Sequence, residues 1–392
     1  MSYNQAILAV CDSGMKNIGT KLTLKNNDIR RFASDSTLNF IRIMFDNAEG
    51  AREGENIEAL HDMRVASRRL RECFQIFQSF YATKKLAKIV SRVKEVTRIL
   101  GIPREMDVNV SLLKTYKPRR SLLLRTTYEY LREIFEFEQR RHHKKMRKDF
   151  DKLDLRTLES DLIQFAKTAL TKSPNSHLLA DTDQHAELEA FLPQTIQILR
   201  EKAAPILAFQ SFPFPSASQA SDDEALHRLR IQVKKFRYCL EILNPLHASR
   251  FEKGIELAKE LQEVLGKIHD LVVLTGRLNI HRVHLMERSR AYLTRGCQQI
   301  VGDLGELKAS LLPRVDPAHK AFVDELCQLL PLETKSPVLD PRPMKIEKSG
   351  QETLDVERPS ATSTPGRRSD LLTSTQSAEQ EKASAKSGAG GA

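Results

Sequence analysis

Two stretches of this chain carry the same cations at the same spacing. One is IEALHDMRVASRRLRECFQIFQSF, Ile57–Phe80; the other is EALHRLRIQVKKFRYCLEIL, Glu224–Leu243. At a constant offset of 166 residues, Leu60 falls on Leu226, His61 on His227 and Arg64 on Arg230. Arg68 and Arg69 fall on Lys234 and Lys235, Arg71 on Arg237, and Cys73 on Cys239. At helical spacing, His61, Arg64, Arg68 and Arg71 stack along one side, and His227, Arg230, Lys234 and Arg237 do the same. Such a row offers many donors along a line and no single reacting centre. Arg presents a planar fork to two phosphate oxygens, and Lys a point charge. The chemistry it fits is binding of a phosphate polyanion. Like charges at this spacing cost about 0.2–0.5 kcal/mol per pair, and no acid joins either row before Glu241. An anion outside the helix would offset that cost. The alternative is that each Arg pairs with an acid on a neighbouring helix. Asp107 and Asp270 are candidates, expected to orient or cap and not to touch ligand.

The two histidines do not form a metal site by spacing, because no carboxylate or cysteine stands at ligand distance in sequence. No Ser or Cys shares the row to act as a nucleophile. Two roles remain: a hydrogen-bonding histidine that positions its neighbours, or a protonated one that adds to phosphate binding below about pH 7.

The rows need helices to hold them. Met63, Ala66, Leu70, Phe74 and Phe77 fall on one face of the first stretch, and Leu229, Val233, Phe236, Leu240 and Leu243 on one face of the second. These are core stripes of amphipathic helices. Lys84–Leu100 is a further helix with Lys84, Lys88 and Arg92 in another basic row. Gly101-Ile102-Pro103 is expected to end it, with the next helix running over Glu105–Tyr116.

Both stretches resemble the defining motif of the CHAD family, the conserved histidine α-helical domain. The resemblance rests on HDMRVASRRLR (61–71), HRLRIQVKKFRY (227–238), LGIPREMDV (100–108) and LQEVLGKIHD (261–270), in the expected order over roughly residues 30–331. Glu105 stands where the family usually has Asp. The resemblance implies an all-α fold, with two pseudo-symmetric antiparallel helical bundles around a basic central channel. It also implies binding of inorganic polyphosphate without catalysis, and association with polyphosphate or polyhydroxyalkanoate granules. The expected binding residues are His61, Arg64, Arg68, Arg69, Arg71, Lys88 and Arg92 in the first half, with His227, Arg230, Lys234, Lys235 and Arg237 in the second. Members are often fused to a CYTH-type triphosphatase, whose E-x-E-x-K signature does not occur here. A phosphate loop of the G-x-x-x-x-G-K-[ST] type is also missing. The reading is therefore of a protein that is not an enzyme and takes no cofactor or metal.

Composition sets the frame. The chain has 392 residues, 40% of them hydrophobic, and a formal net charge of +11. Residues 332–392 hold nine Lys or Arg against nine Asp or Glu, so the excess lies entirely on residues 1–331. That excess points to a polyanion: a phosphate polymer, nucleic acid or an acidic surface. Aromatic residues do not interleave with the basic rows as base stacking would require, so sequence-specific nucleic acid is not indicated. Five scattered cysteines, Cys11, Cys73, Cys239, Cys297 and Cys327, fit a reducing compartment and give no zinc pattern. With no signal peptide or membrane span in the pattern, a cytoplasmic place is expected.

Taken in order, residues 1–30 read as an arm. A helix follows from about Ser36, then a turn at Gly50–Glu55, then the first motif helix. Ser121–Phe150 reads as one long helix whose RRHHKKMRK run (140–148) is a solvated face, and Leu155–Leu170 as the next. The repeat boundary is expected near 175–183, giving repeats of about 31–178 and 179–331. His185–Ala208 is a helix, and Gln210–Ser221 an insertion before the second motif, with Ser221 and Glu224 forming a capping box. Arg250–Leu265 and Ile268–Arg282 are expected as two helices joined near Gly266, followed by Ala291–Leu312 and Ala318–Leu330. Residues 332–392 lack the apolar content for a core and read as a disordered tail.

Overall fold

Capping side chains mark where the helices begin. Asp28 accepts a hydrogen bond from the Arg31 amide at 2.9 Å, so the first helix starts ahead of the position expected from its apolar periodicity. Asn56 accepts from the amides of Glu58 and Ala59 at 3.0 and 3.2 Å and starts the first motif helix. The computed structural model describes residues 28–54, 56–118, 121–170, 184–209 and 219–330, and every regular element among them is helical. The helices are α1 (Ile29–Asp46), α2 (Ala48–Glu53), α3 (Ile57–Ile76), α4 (Thr83–Ile99), α5 (Gly101–Thr115) and α6 (Leu122–Asp151). They continue as α7 (Leu155–Lys167), α8 (Gln184–Leu207), α9 (Gln219–Leu243), α10 (Glu252–Glu287), α11 (Ala291–Leu311) and α12 (Val315–Leu329). The expected arm, apart from its last few residues, lies outside the described residues, as do the repeat boundary, most of the insertion, the tail and Cys11.

The two motif helices, α3 and α9, pack against each other at the centre. Around α3 lie α1, α2, α4 and α5; around α9 lie α8 and α10. The halves also meet through α5 with α10 and α6 with α11. All ten residues assigned to the two core stripes are buried, none above 3% exposed. Phe77 stacks on Phe191 of α8 at 5.8 Å between ring centroids, so the aromatic core is shared by both halves.

Four boundaries differ from expectation. Gly50–Glu55 is not simply a turn: α2 occupies most of it and ends at Gly54, which has φ +75° and the His143 ring against it. A Cβ at Gly54 would lie 2.7 Å from His143 Nδ1, so glycine is required twice over. Gly101 and Pro103 do not separate two helices by a gap. α5 starts at Gly101, and Pro103 sits in its first turn, where an amide has no intrahelical partner to lose. α9 begins at Gln219, so Ser221 lies within its first turn and is not its cap. Finally, α10 is one continuous helix of 36 residues with Gly266 in its interior. A single interior glycine costs only about 1 kcal/mol, which the packing of α10 on α9, α11 and α12 outweighs.

Candidate functional site

α3 and α9 turn the first parts of their basic rows toward a common region, bordered by α5 and α10. His61, Arg64 and Arg68 come from α3, and His227, Arg230 and Lys234 from α9. Arg68 acts electrostatically on both His61 and Arg230, so the cluster joins the two motif helices. α5 adds Arg104, which faces His61 and Asp270, and α10 adds His269, which faces His227.

The two halves build this cluster in the same way. Arg64 Nη1 donates to the Thr97 carbonyl at 2.6 Å, one of the orphan carbonyls at the C-terminus of α4. Its guanidinium lies beside Gly101, where a Cβ would sit 3.5 Å from Nη1. Arg230 lies beside Gly266 in the equivalent way, 4.0 Å from an added Cβ. Ser67 and Thr97 share a hydroxyl hydrogen bond of 2.9 Å that fixes α3 to α4 next to Arg64.

Charge in the cluster is poorly balanced. Arg68 and Arg104 make no ion pair among the described residues. Arg230 Nε is buried without a hydrogen-bond partner. Burial pulls the Arg230 guanidinium below its ordinary value, and the nearby Asp270 carboxylate only partly offsets this. Asp270 is in turn pushed up by burial, against the pull of Arg230 and Arg104. The other carboxylate at the cluster, Glu105, is held by Arg277 of α10 at 2.7 and 3.1 Å.

The histidines are neutral in this setting. Burial, then the charges of Arg104, Arg68, Arg64 and Arg69, pushes His61 down to about 3. Burial, then Arg230, His227 and Lys234, does the same to His269. His227 is lowered by burial and Arg230, and stacks on His269 with Nδ1 atoms 3.1 Å apart, so one ring donates and the other accepts. A protonated motif histidine is therefore not a feature of the cluster at neutral pH.

The remaining expected residues have other surroundings, although the charge of Arg69 still reaches His61. Arg69 donates to Glu241 across the α3–α9 contact at 2.7 Å and stacks on Tyr238. Arg237, only 5% exposed, bonds Gln262 at 2.8 Å and the same Glu241. Glu241 of α9 thus ties α9 to α3 through Arg69, while Arg237, one turn before it on the same helix, shares the carboxylate. Arg92 pairs with Asp161 of α7, and Lys88 and Lys235 are exposed. Arg71 is half-buried a turn beyond Arg68. Of the twelve expected residues, Arg69, Arg92 and Arg237 have their guanidiniums engaged by carboxylates. Asp107 pairs with no motif Arg; it is buried and accepts from Gln139 at 2.8 Å and His143 at 2.7 Å. The RRHHKKMRK run is the solvated face expected at its Arg and Lys positions, but Met146 is buried, His143 turns inward to Asp107, and Arg147 caps α2 through the Glu53 carbonyl.

Sequence reasoning missed Arg104 and His269. The signal was present: with Leu100 placed on Leu265, Arg104 falls on His269 and Glu105 on Asp270.

Comparison with known proteins gives a consistent result. A family model described as the CHAD domain matches residues 38–279. The chain is similar to the solved CHAD domain from the plant Ricinus communis, at 19% identity and a TM-score of 0.54, over 76% of this chain and 94% of that one. It is also similar to PptA from Streptomyces chartreusis, at 14% identity and a TM-score of 0.51, over 76% of this chain and 99% of that one. At these identities the likeness is one of fold. Among curated proteins, none matches.

Proposed function

We propose, from the premise that the chain belongs to the CHAD family, that its central cationic cluster binds inorganic polyphosphate. The observation that supports this most is the poorly balanced charge: Arg68 and Arg104 make no ion pair among the described residues, and Arg230 carries an unmet buried N–H. A buried unmet donor costs about 1–3 kcal/mol, and an anionic oxygen would remove that cost. Successive phosphates suit the cluster because its donors are spread over four helices and do not converge on one atom. Arg64, Arg230 and Lys234 hold or extend the row; Arg69 and Arg237 fix the helices that carry it. In this reading the protein is a binding module and not an enzyme, since the cluster offers no activated nucleophile and no acid–base pair poised at a reacting atom. No helix among the described residues is long and apolar enough to cross a membrane. A granule surface in the cytoplasm is the place of action the family implies.

The test is competition at roughly physiological salt. Labelled long-chain polyphosphate is displaced by unlabelled polyphosphate, single-stranded DNA or heparin, with wild type and with Arg68→Ala/Arg104→Ala. These two arginines are chosen because their removal breaks no ion pair among the described residues, and Arg230 stays beside Asp270. Polyphosphate is expected to compete best and the variant to lose affinity while staying folded. If all polyanions compete equally, or the variant binds like wild type, the cluster is a general charged surface and a granule or protein partner must be sought.

A further inference from the structure

Beyond residue 279, where the family match ends, α10 continues to Glu287 with a second set of donors. Arg277, His281, His284 and Arg288 follow one another at spacings of four, three and four, so they lie on one side of the helix. Arg277 belongs to the central cluster through Glu105. At about 1.5 Å per residue, Arg288 lies roughly 16 Å further along the axis. Between them, α6 contributes His142 and Glu138, and Glu138 stands 3.5 Å from His281 Nε2. Although burial favours its neutral form, Glu138 is held below its ordinary value by His281, Arg277 and His142, so the two carboxylates on this stretch, Glu105 on Arg277 and Glu138 on His281, are each already compensated.

The track ends in a cavity of about 90 Å³, lined by Tyr130, Ile134, His281, His284, Leu285 and Arg288. The lining offers a guanidinium, two imidazoles and a phenol over two apolar side chains, and no carboxylate. Arg288 makes no ion pair among the described residues. Its cations are also not needed by the end of α10. The last carbonyls, of His284, Leu285 and Met286, are taken by the amides of Arg288, Arg290 and Ser289 at 3.3, 2.9 and 2.9 Å.

We propose that this cavity is an outer phosphate subsite, reached from the central cluster along Arg277 and His281, so that a long polyphosphate chain is held at both places at once. This rests on the polyphosphate reading above. Its consequence is discrimination by length: a short chain fills only the central cluster, whereas a long one gains the outer contacts.

The experiment uses the full chain and two probes, tripolyphosphate and long-chain polyphosphate. His284→Ala/Arg288→Ala changes two exposed side chains at the cavity. Arg314→Ala/Lys320→Ala removes at least as much charge from exposed positions on and just before α12. The cavity variant is expected to weaken long-chain binding about tenfold while leaving tripolyphosphate unchanged, and the control variant to change neither. Equal long-chain binding by the cavity variant and wild type overturns the subsite and leaves the central reading intact. An equal loss in the control variant overturns it too, by showing a general charge effect. Failure of wild type to bind either probe overturns both readings.

Discussion

Arg68 and Arg237 come from the same motif rows but differ in what surrounds them. Arg68 is half-buried and makes no ion pair among the described residues, so its guanidinium is available to an anion. Arg237 is buried against Glu241, Gln262 and the Tyr238 ring. Arg68→Ala is therefore expected to weaken polyphosphate binding about tenfold, with little change in the urea midpoint. Arg237→Ala is expected to cost about 2 kcal/mol of stability, because it strips one of the two guanidiniums from Glu241 and empties a packed site. Urea unfolding of both variants, beside their binding curves, checks the pair. A stability loss at Arg68 equal to that at Arg237 would show that both are structural. The sequence distinguishes the two poorly. Spacing places both on a cationic row; Glu241 stands one turn from Arg237 on α9 itself, but Gln262 comes into reach only when α9 and α10 pack.

At the scale of elements, glycines show how far local pattern can be trusted. Gly266 resembles a break in sequence, yet α10 runs through it, and a Cβ there would meet Arg230 Nε at an ordinary 4.0 Å. Gly266→Ala is expected to be tolerated and to raise stability by up to about 1 kcal/mol through helix propensity. Gly296 has no such room. It sits on α11 where α6 crosses, and a Cβ would lie 2.0 Å from Thr127 Oγ1. Gly296→Ala is expected to cost about 1–3 kcal/mol by forcing α6 and α11 apart. Thermal unfolding of the two variants should move in opposite directions, and a Gly296 variant as stable as wild type would contradict the packing described. The helices themselves were largely legible, because 3.6-residue periodicity is written locally along α3, α4, α6 and α9. Their junctions were less so: the start of α1 depends on a single Asp28 cap, and the α6–α11 contact depends on residues far apart in sequence. Arg104 and His269 correspond to each other in sequence, but what brings them to the cluster is the packing of α5 and α10 beside the motif helices.

For the whole molecule, the cluster ties folding, protons and ligand together. His61 and His269 are held at about 3, and His227, His142 and His247 are lowered as well, each first by burial. In the unfolded chain a histidine titrates near 6.5, so below that pH the unfolded state binds more protons than the folded one. The stability these neutral histidines contribute is present above pH 6.5 and is lost as pH falls from there toward 3. His61 and His269 each remove at most about 1.4 kcal/mol per pH unit in that window. Asp270, pushed up by burial, has the opposite sign and offsets part of the loss. A polyanion seated among Arg68, Arg104 and Arg230 would favour the charged imidazoles next to them. Polyphosphate should then stabilise the protein more at pH 5.5 than at pH 7.5, at equal free polyphosphate concentration. The measurement is the melting temperature across this range with and without long-chain polyphosphate, repeated on His61→Gln/His269→Gln. The two wild-type curves are expected to diverge on acidification, and the variant curves to run closer to parallel. Parallel wild-type curves would place the ligand away from the motif histidines. The same linkage sets the salt dependence: neutralising about five phosphates should give a slope of roughly −3 to −4 in log affinity against log salt. A much shallower slope would mean that the cluster, despite the net charge of +11, is not where the polymer binds.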